Sequence, residues 1–405
     1  MTHLMNTYAR LPVAFTHGRG VWLYDEQGQE YLDALAGIAV NGLGHAHPRM
    51  VHALSEQLGR LIHTSNVYRV LEQEQLADRL CELTGLSEVF FANSGSEANE
   101  GALKLVRLYG HKHGNPEAQT IVMERAWHGR TLATLAATGS EKARAGFAPL
   151  PSGFIRVPYN DIGAIEAATR SDPRIQAVWL EVLQGEGGIH VADREFVGAL
   201  RQLCTERGWL LMIDEVQSGI GRTGKWFGYQ WSDIAPDVVT LAKGLGSGVP
   251  IGALLVGGRA AGVFTPGSHG STFGGGPLAC RAGLETLRII EDEGLLANAG
   301  AQGERIRSSL RHALAGVSGV VAIRGQGLMI GIELDRPCGE IVKLALKEGL
   351  LVNVTSDTVI RLLPPLVLTT AEASQIVARL APIVRTFLKS TSPVGGAAKP
   401  AATPR

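Results

Sequence analysis

Three short stretches of this sequence carry residue types in settings that can do chemistry. Lys243 closes the apolar run Val238-Val239-Thr240-Leu241-Ala242 and precedes Gly244-Leu245-Gly246. A lysine so placed is a candidate for a desolvated amine of lowered pKa, the kind that forms Schiff bases. On its own it also fits a surface lysine at a strand end. Asp214 ends the apolar run Trp209–Ile213 and opens Asp214-Glu215-Val216-Gln217-Ser218-Gly219. A partly desolvated carboxylate there seeks a cation, and a protonated heterocyclic nitrogen would serve; a solvated loop acid or a helix N-cap is the plainer reading. Ser94-Gly95-Ser96-Glu97-Ala98-Asn99 joins a strand-like run to a helix-like one. Such a turn offers backbone N–H groups and hydroxyls to a phosphate, although Ser followed by Glu is also ordinary capping chemistry.

The combination says more than its parts. A phosphate cradle, a strand-end Asp and a strand-end Lys are what pyridoxal phosphate needs: an amine for its aldehyde, a carboxylate for its ring nitrogen and a helix N-terminus for its phosphate. Competing motifs are weaker. Gly219–Lys225 matches G-x-x-x-x-G-K, but Trp226 stands where a P-loop needs Ser or Thr. His45-Ala46-His47 invites a metal reading, yet the spacing puts the two imidazoles on opposite faces of a strand, and Pro48 marks a loop and helix start. No metal site is expected. No G-x-S-x-G occurs.

These residues need a scaffold. Short apolar runs alternate with amphipathic ones: strands are expected at Ser87–Ala92, Thr120–Glu124, Ala177–Leu183, Trp209–Ile213, Asp237–Ala242 and Ile251–Val256. Helices are expected from about Asn99 to His111, at Arg194–Arg207 with Gly208 as its stop, and over Pro277–Leu314. This implies an α/β fold: βαβ units around a mostly parallel sheet, whose carboxyl edge collects ligands. A hairpin is expected from Val21–Tyr24 and Tyr31–Leu35, and residues 318–389 mix strands with helices near 338–348 and 371–388. We expect a large domain over 51–300 and a smaller α+β domain from 1–50 and 301–389. The Pro/Gly/Ala-rich segment 390–405 reads as a disordered tail.

Composition bounds the rest. The 405 residues carry 38 Lys+Arg and 38 Asp+Glu, a formal net charge of zero. That argues against a dedicated nucleic-acid or polybasic membrane binder. Hydrophobic residues make up 45%, enough for a large core. Four scattered cysteines fit a reducing compartment. The first residues contain no continuous apolar run, and no stretch approaches the ~20 apolar residues of a membrane span, so a cytoplasmic protein is expected. Glycine is in excess, 51 residues without a G-X-Y period, which suggests tight loops near a ligand.

The chain resembles the class III, fold-type I pyridoxal-phosphate aminotransferases over about residues 6–388. The stretches that carry the resemblance are Tyr31–Pro48, His63–Tyr68, Asn93–Glu100, His128–Thr131, Gln184–Gly188, Ile213–Gly228, Leu241–Leu245, His269–Gly275 and Arg361–Leu366. The resemblance implies a role for each matching residue. Lys243 is the Schiff-base lysine and proton carrier. Asp214 pairs with the pyridinium, and Glu215 is counted with it among the cofactor-binding residues. Val216 and Trp127 cover the two ring faces, and Gln217 reaches the ring 3′-oxygen. Gly95 and Ser96 hold the phosphate. Thr272 reaches the phosphate bound in the neighbouring subunit, which implies a homodimer with shared active sites. Arg130 binds the substrate α-carboxylate with Ser271 beside it. Glu186 and Arg361 form a switch, paired when an ω-amine is bound and parted when Arg361 takes the carboxylate of 2-oxoglutarate. A planar guanidinium suits both carboxylate tasks.

The sequence departs from the family pattern at Trp127 (Phe or Tyr), Val182 (Pro), Ser96 (Thr) and Gly276 (Asn), none of which removes a catalytic group. Family members that act on free ornithine have a Tyr near Gly37-Ile38. Its absence leaves room for an N-acyl group, which implies N-acetylornithine as amino donor and 2-oxoglutarate as acceptor. The alternatives are other ω-amine donors (succinylornithine, succinyl-diaminopimelate, ornithine, 4-aminobutyrate) and an aminomutase on the same fold.

Overall fold

The computed structural model describes residues 3–390. Its centre is a seven-stranded sheet in the spatial order Glu88–Ala92, Gly252–Val256, Val238–Leu241, Leu210–Asp214, Ile175–Leu180, Gln119–Met123 and Phe154–Val157. Gly252–Val256 runs antiparallel to both its neighbours, and the four strand pairs beyond Val238–Leu241 are parallel. Parallel strands are covered on both faces and so read as unbroken apolar runs. Leu210–Asp214 and Val238–Leu241 are buried at every position. Pairing of Asp214 with Thr240 sets the carboxylate beside the strand that delivers Lys243.

The expected strands are present within one or two residues, with one correction. Ala177–Leu183 is not one strand. The chain leaves the large sheet at Leu180, and Leu183–Gln184 pairs instead with His190–Val191 in a two-stranded ribbon. Glu181 sits at the break, where its carboxylate accepts the backbone N–H groups of Trp127 and Gly185.

Helix Gly95–Lys112 follows the first sheet strand. Arg194–Arg207 ends at Gly208 in the left-handed conformation that spares glycine a steric penalty. The expected long helix Pro277–Leu314 is two helices, Pro277–Asp292 and Leu295–Ala313, parted at Glu293-Gly294 with Gly294 at φ 63°.

A three-stranded meander, Phe15–Arg19, Trp22–Asp25 and Glu30–Asp33, contains the expected hairpin shifted by a residue or two. Its turn is held by Asp25, which accepts from Gln27 and Gln29 N–H. The fourth strand of this sheet is Leu350–Leu351, parallel to Leu32-Asp33, so the two ends of the chain share a sheet. A last sheet orders Val320–Gln326, Met329–Leu334, Val359–Leu362 and Asn353–Thr355 and carries Arg361 opposite Gly331 and Asn353. Helices Ile341–Lys347 and Thr370–Ser390 complete this part. The expected tail lies outside the described residues except Ser390, which ends a helix. Among the described residues no helix is long and apolar enough to cross a membrane.

Candidate active site

A cavity of about 160 Å³ opens at the carboxyl edge of the large sheet. Gly95, Ser96, Trp127, Asp214, Val216, Gln217 and Lys243 all line it, drawn from four separate loops. The capping reading of the serine turn holds, and the same turn leaves first-turn N–H groups free. Ser94 is the N-cap, its hydroxyl accepting from Glu97 N–H at 3.2 Å, a contact worth about 1 kcal/mol. Gly95 and Ser96 then begin the helix, where first-turn N–H groups have no intrahelical acceptor and favour an anion. Gly95 must be glycine, because a Cβ there would lie 2.7 Å from Val216 Cγ1.

Asp214 is buried and held at both oxygens. Oδ1 accepts Val216 N–H at 3.0 Å. Oδ2 receives Asn99 Nδ2 at 2.9 Å and lies 2.8 Å from His128 Nδ1. The His128 ring stacks on Trp179 with centroids 3.7 Å apart, while its buried Nε2 has no partner. Lys243 adopts a left-handed φ of 42°, a conformation that costs a non-glycine residue energy. Burial lowers its pKa most, and the Arg361 charge adds to that; Glu186, Asp214 and Glu181 pull the other way. The lowered pKa matches the expected nucleophilic amine.

Glu186 and Arg361 are paired, Oε1 to Nη1 at 2.6 Å. Arg361 is fully buried. Its Nε donates to Asn353 Oδ1 and Nη1 also donates to Gln217 Oε1 at 3.2 Å, which joins the pair to a cavity wall. Its buried Nη2 has no partner. The Glu186 carbonyl accepts from the hydroxyls of Thr355 and Ser356. Gly185 lets this loop close on Gln217: a Cβ would come 2.4 Å from Gln217 Oε1.

Other expected residues lie around this centre. Arg130 is exposed, its guanidinium over the Trp127 ring at 4.7 Å. Ser271 and Thr272 border a separate hollow with Asn93 and Glu97; Ser271 Oγ accepts from Gly274 N–H and lies 3.4 Å from Asn93 Nδ2. Thr272 is exposed. Glu215 points away from the cavity. Its carboxylate accepts from Gly228 and Tyr229 N–H and from Ser218 Oγ, so it anchors the loop behind Asp214. Burial pushes its pKa up to about 7 against those hydrogen bonds. The P-loop-like segment leads to no phosphate cradle: Lys225 Nζ donates to Gln230 O and sits over Trp231. His45 and His47 lie against Asp33 and Glu293 respectively, and no cluster of metal-ligating side chains occurs among the described residues.

Sequence reasoning missed His128, Asn99 and the role of Glu181. All three line the cavity. Their signal was present, because His128 opens H-G-R-T and Asn99 closes the serine turn, but only the fold brings both to Asp214. Glu181 carries a pKa raised well above the usual carboxylate range, first by burial and then by the Asp214 charge, against the hydrogen bonds from Trp127 and Gly185.

The model of the class-III aminotransferases matches residues 4–384. The chain belongs to that family. It is 66% identical to acetylornithine aminotransferase 1 of Bordetella bronchiseptica, over 95% of this chain and 98% of the relative. Identity to the acetylornithine aminotransferase of Nitrosomonas europaea is 57%, over 96% of this chain and 99% of that one. Among solved structures, the ornithine aminotransferase of Toxoplasma gondii superposes with a TM-score of 0.92 at 33% identity, covering 96% of this chain and 94% of that chain. The N-acetylornithine aminotransferase of Stenotrophomonas maltophilia superposes at 0.83 and 34% identity, covering 95% and 98%.

As a class-III aminotransferase the chain is a pyridoxal-phosphate enzyme, and its cavity suits that group. A helix N-terminus for an anion, an anchored buried carboxylate for a cationic ring nitrogen, an indole and a Val for the ring faces, and a desolvated amine all border one space. No other described cavity combines these groups.

Proposed function

We propose that this aminotransferase moves the δ-amine of N-acetylornithine to 2-oxoglutarate, giving N-acetylglutamate 5-semialdehyde and glutamate. The observation that carries the reading is the buried Arg361, masked by Glu186, bonded to Gln217 of the cavity wall and left with an unpartnered Nη2. A masked guanidinium tolerates an uncharged arm in one half-reaction. Unmasked, it offers a bidentate fork to the distal carboxylate of a dicarboxylate in the other. Identity of 66% and 57% over nearly the whole chain to proteins named acetylornithine aminotransferase supports the same donor.

Gly95 and Ser96 would hold the cofactor phosphate, Trp127 and Val216 its ring faces, Gln217 its ring oxygen and Asp214 its ring nitrogen. When bound, the cofactor supplies an electron sink for the carbon that carries the amine. Lys243 Nζ, lowered in pKa by burial, accepts the proton leaving that carbon and returns it on the other side of the transfer. His128 and Asn99 keep Asp214 turned toward the cavity. Arg130, free of carboxylate partners among the described residues, would take the substrate α-carboxylate, with Ser271 beside it.

Exposed Thr272 would complete the phosphate site of a second copy in a homodimer. We also propose the division into a large unit, 51–300, and a small one from 1–50 and 301–389, which the shared sheet of Glu30–Asp33 with Leu350–Leu351 supports.

The test is a half-reaction. Holoenzyme mixed with N-acetylornithine alone should release one aldehyde per site and stop, and 2-oxoglutarate should restart it. Continued turnover without acceptor would indicate an aminomutase and overturn the reading.

A further inference from the structure

A second cavity, about 770 Å³, lies away from the cofactor site and shares no lining residue with it. It is bordered by the first residues of two sheet strands, Gln119 and Phe154, whereas the cofactor cavity sits at the carboxyl edge. Four arginines line it, Arg107, Arg144, Arg156 and Arg174, against the single carboxylate of Glu117.

Only one of the four is neutralised. Arg174 is gripped by Asp172 at Nε and Nη2 and by Glu117 at Nη1. Arg107 donates to the Ser152 carbonyl, and Arg156 donates to the carbonyls of Ala136 and Thr138. Among the described residues no carboxylate pairs with Arg107, Arg144 or Arg156. The Nε atoms of Arg144 and Arg156 are buried without a hydrogen-bond partner. An orphaned buried donor costs about 1–3 kcal/mol, more when charged. Burial and the Arg144 charge also push the Arg156 pKa down, so the two cations oppose each other in a partly dry space.

Like charges gathered around a cavity, with donors left over, are what an anion would relieve. We propose that the Arg144–Arg156 cavity binds a small multivalent anion of the phosphate or carboxylate class. The geometry favours a multivalent ligand because three uncompensated guanidiniums face the space. Guanidinium forks match the paired oxygens of either group.

Titration calorimetry of the holoenzyme at low ionic strength, with inorganic pyrophosphate and with citrate as separate probes, tests this. One of them should bind, the tighter naming the class, and added salt should weaken it. Arg144→Ala should weaken binding at least about tenfold with transamination unchanged. Arg156→Lys keeps the charge, loses the fork and should weaken binding too. The active-site arginines are intact in both variants, so a loss there assigns the ligand to this cavity. No binding of either probe by the wild type, or equal binding by Arg144→Ala, overturns the proposal.

Discussion

His128 Nδ1 lies 2.8 Å from Asp214 Oδ2, and the His128 ring is stacked on Trp179 with no solvent exposure of its side chain. The imidazole is thus fixed on one face by an indole and at one edge by the carboxylate that the cofactor ring would meet. Asn99 completes the grip at 2.9 Å. Asp214 can therefore hold one orientation without spending conformational entropy when the ring arrives.

It follows that His128→Ala should loosen the cofactor through Asp214. A hydrogen bond to a charged group is worth about 1.5–3 kcal/mol, so cofactor dissociation should rise roughly 10–100-fold. Turnover at saturating cofactor should fall with it, because Asp214 is no longer aimed. Equilibrium dialysis of the cofactor checks the first effect; unchanged affinity would remove His128 from the account.

Lys243→Ala should abolish turnover and the visible absorbance of the lysine-bound cofactor while the cavity still binds its phosphate. A spectrum and a rate on the same preparation decide this. A fully active variant would sink the assignment.

Glu186→Ala exposes the Arg361 guanidinium permanently. The glutamate half-reaction should then gain on the N-acetylornithine half-reaction, by about tenfold if the lost ion pair is worth roughly 1.4 kcal/mol. Stopped-flow measurement of each half-reaction separates the two, and an unchanged ratio would argue against a switch. Folding should suffer as well, since an unpaired buried charge is costly.

Glu215 predicts a pH dependence of stability. Its folded pKa of about 7 lies above the ordinary glutamate value of 4.5, so the folded state binds the proton more tightly than the unfolded one. Its contribution is complete below pH 4.5 and is lost as pH rises through about 7. The shift corresponds to a few kcal/mol at most. Glu215→Gln should be less stable overall, with one hydrogen bond reversed, yet should lose less stability between pH 4.5 and 7. Denaturant unfolding at both pH values measures the difference.

Much of this site was legible in the chain. Lys243 and Asp214 stand at the ends of apolar runs, and a buried parallel strand ends where its run ends. The serine turn was legible for the same reason, as a polar break between two patterned segments. What was hidden depends on contacts between distant segments. Nothing local distinguishes Glu215, which turns inward to cap Gly228 and Tyr229, from Asp214 one residue earlier. Helical periodicity runs on through Glu293-Gly294, and only the positive φ of Gly294 shows the break. The glycine excess is explained in part: Gly95 is required by the close approach of Val216.

The amino donor defines the function. The most direct measurement is kcat/KM of the purified holoenzyme for N-acetylornithine, succinylornithine, succinyl-diaminopimelate, ornithine and 4-aminobutyrate, with 2-oxoglutarate as acceptor throughout. The masked Arg361 and the absence of a tyrosine near Gly37-Ile38 predict that N-acetylornithine ranks first. A clear preference for ornithine or 4-aminobutyrate would contradict it.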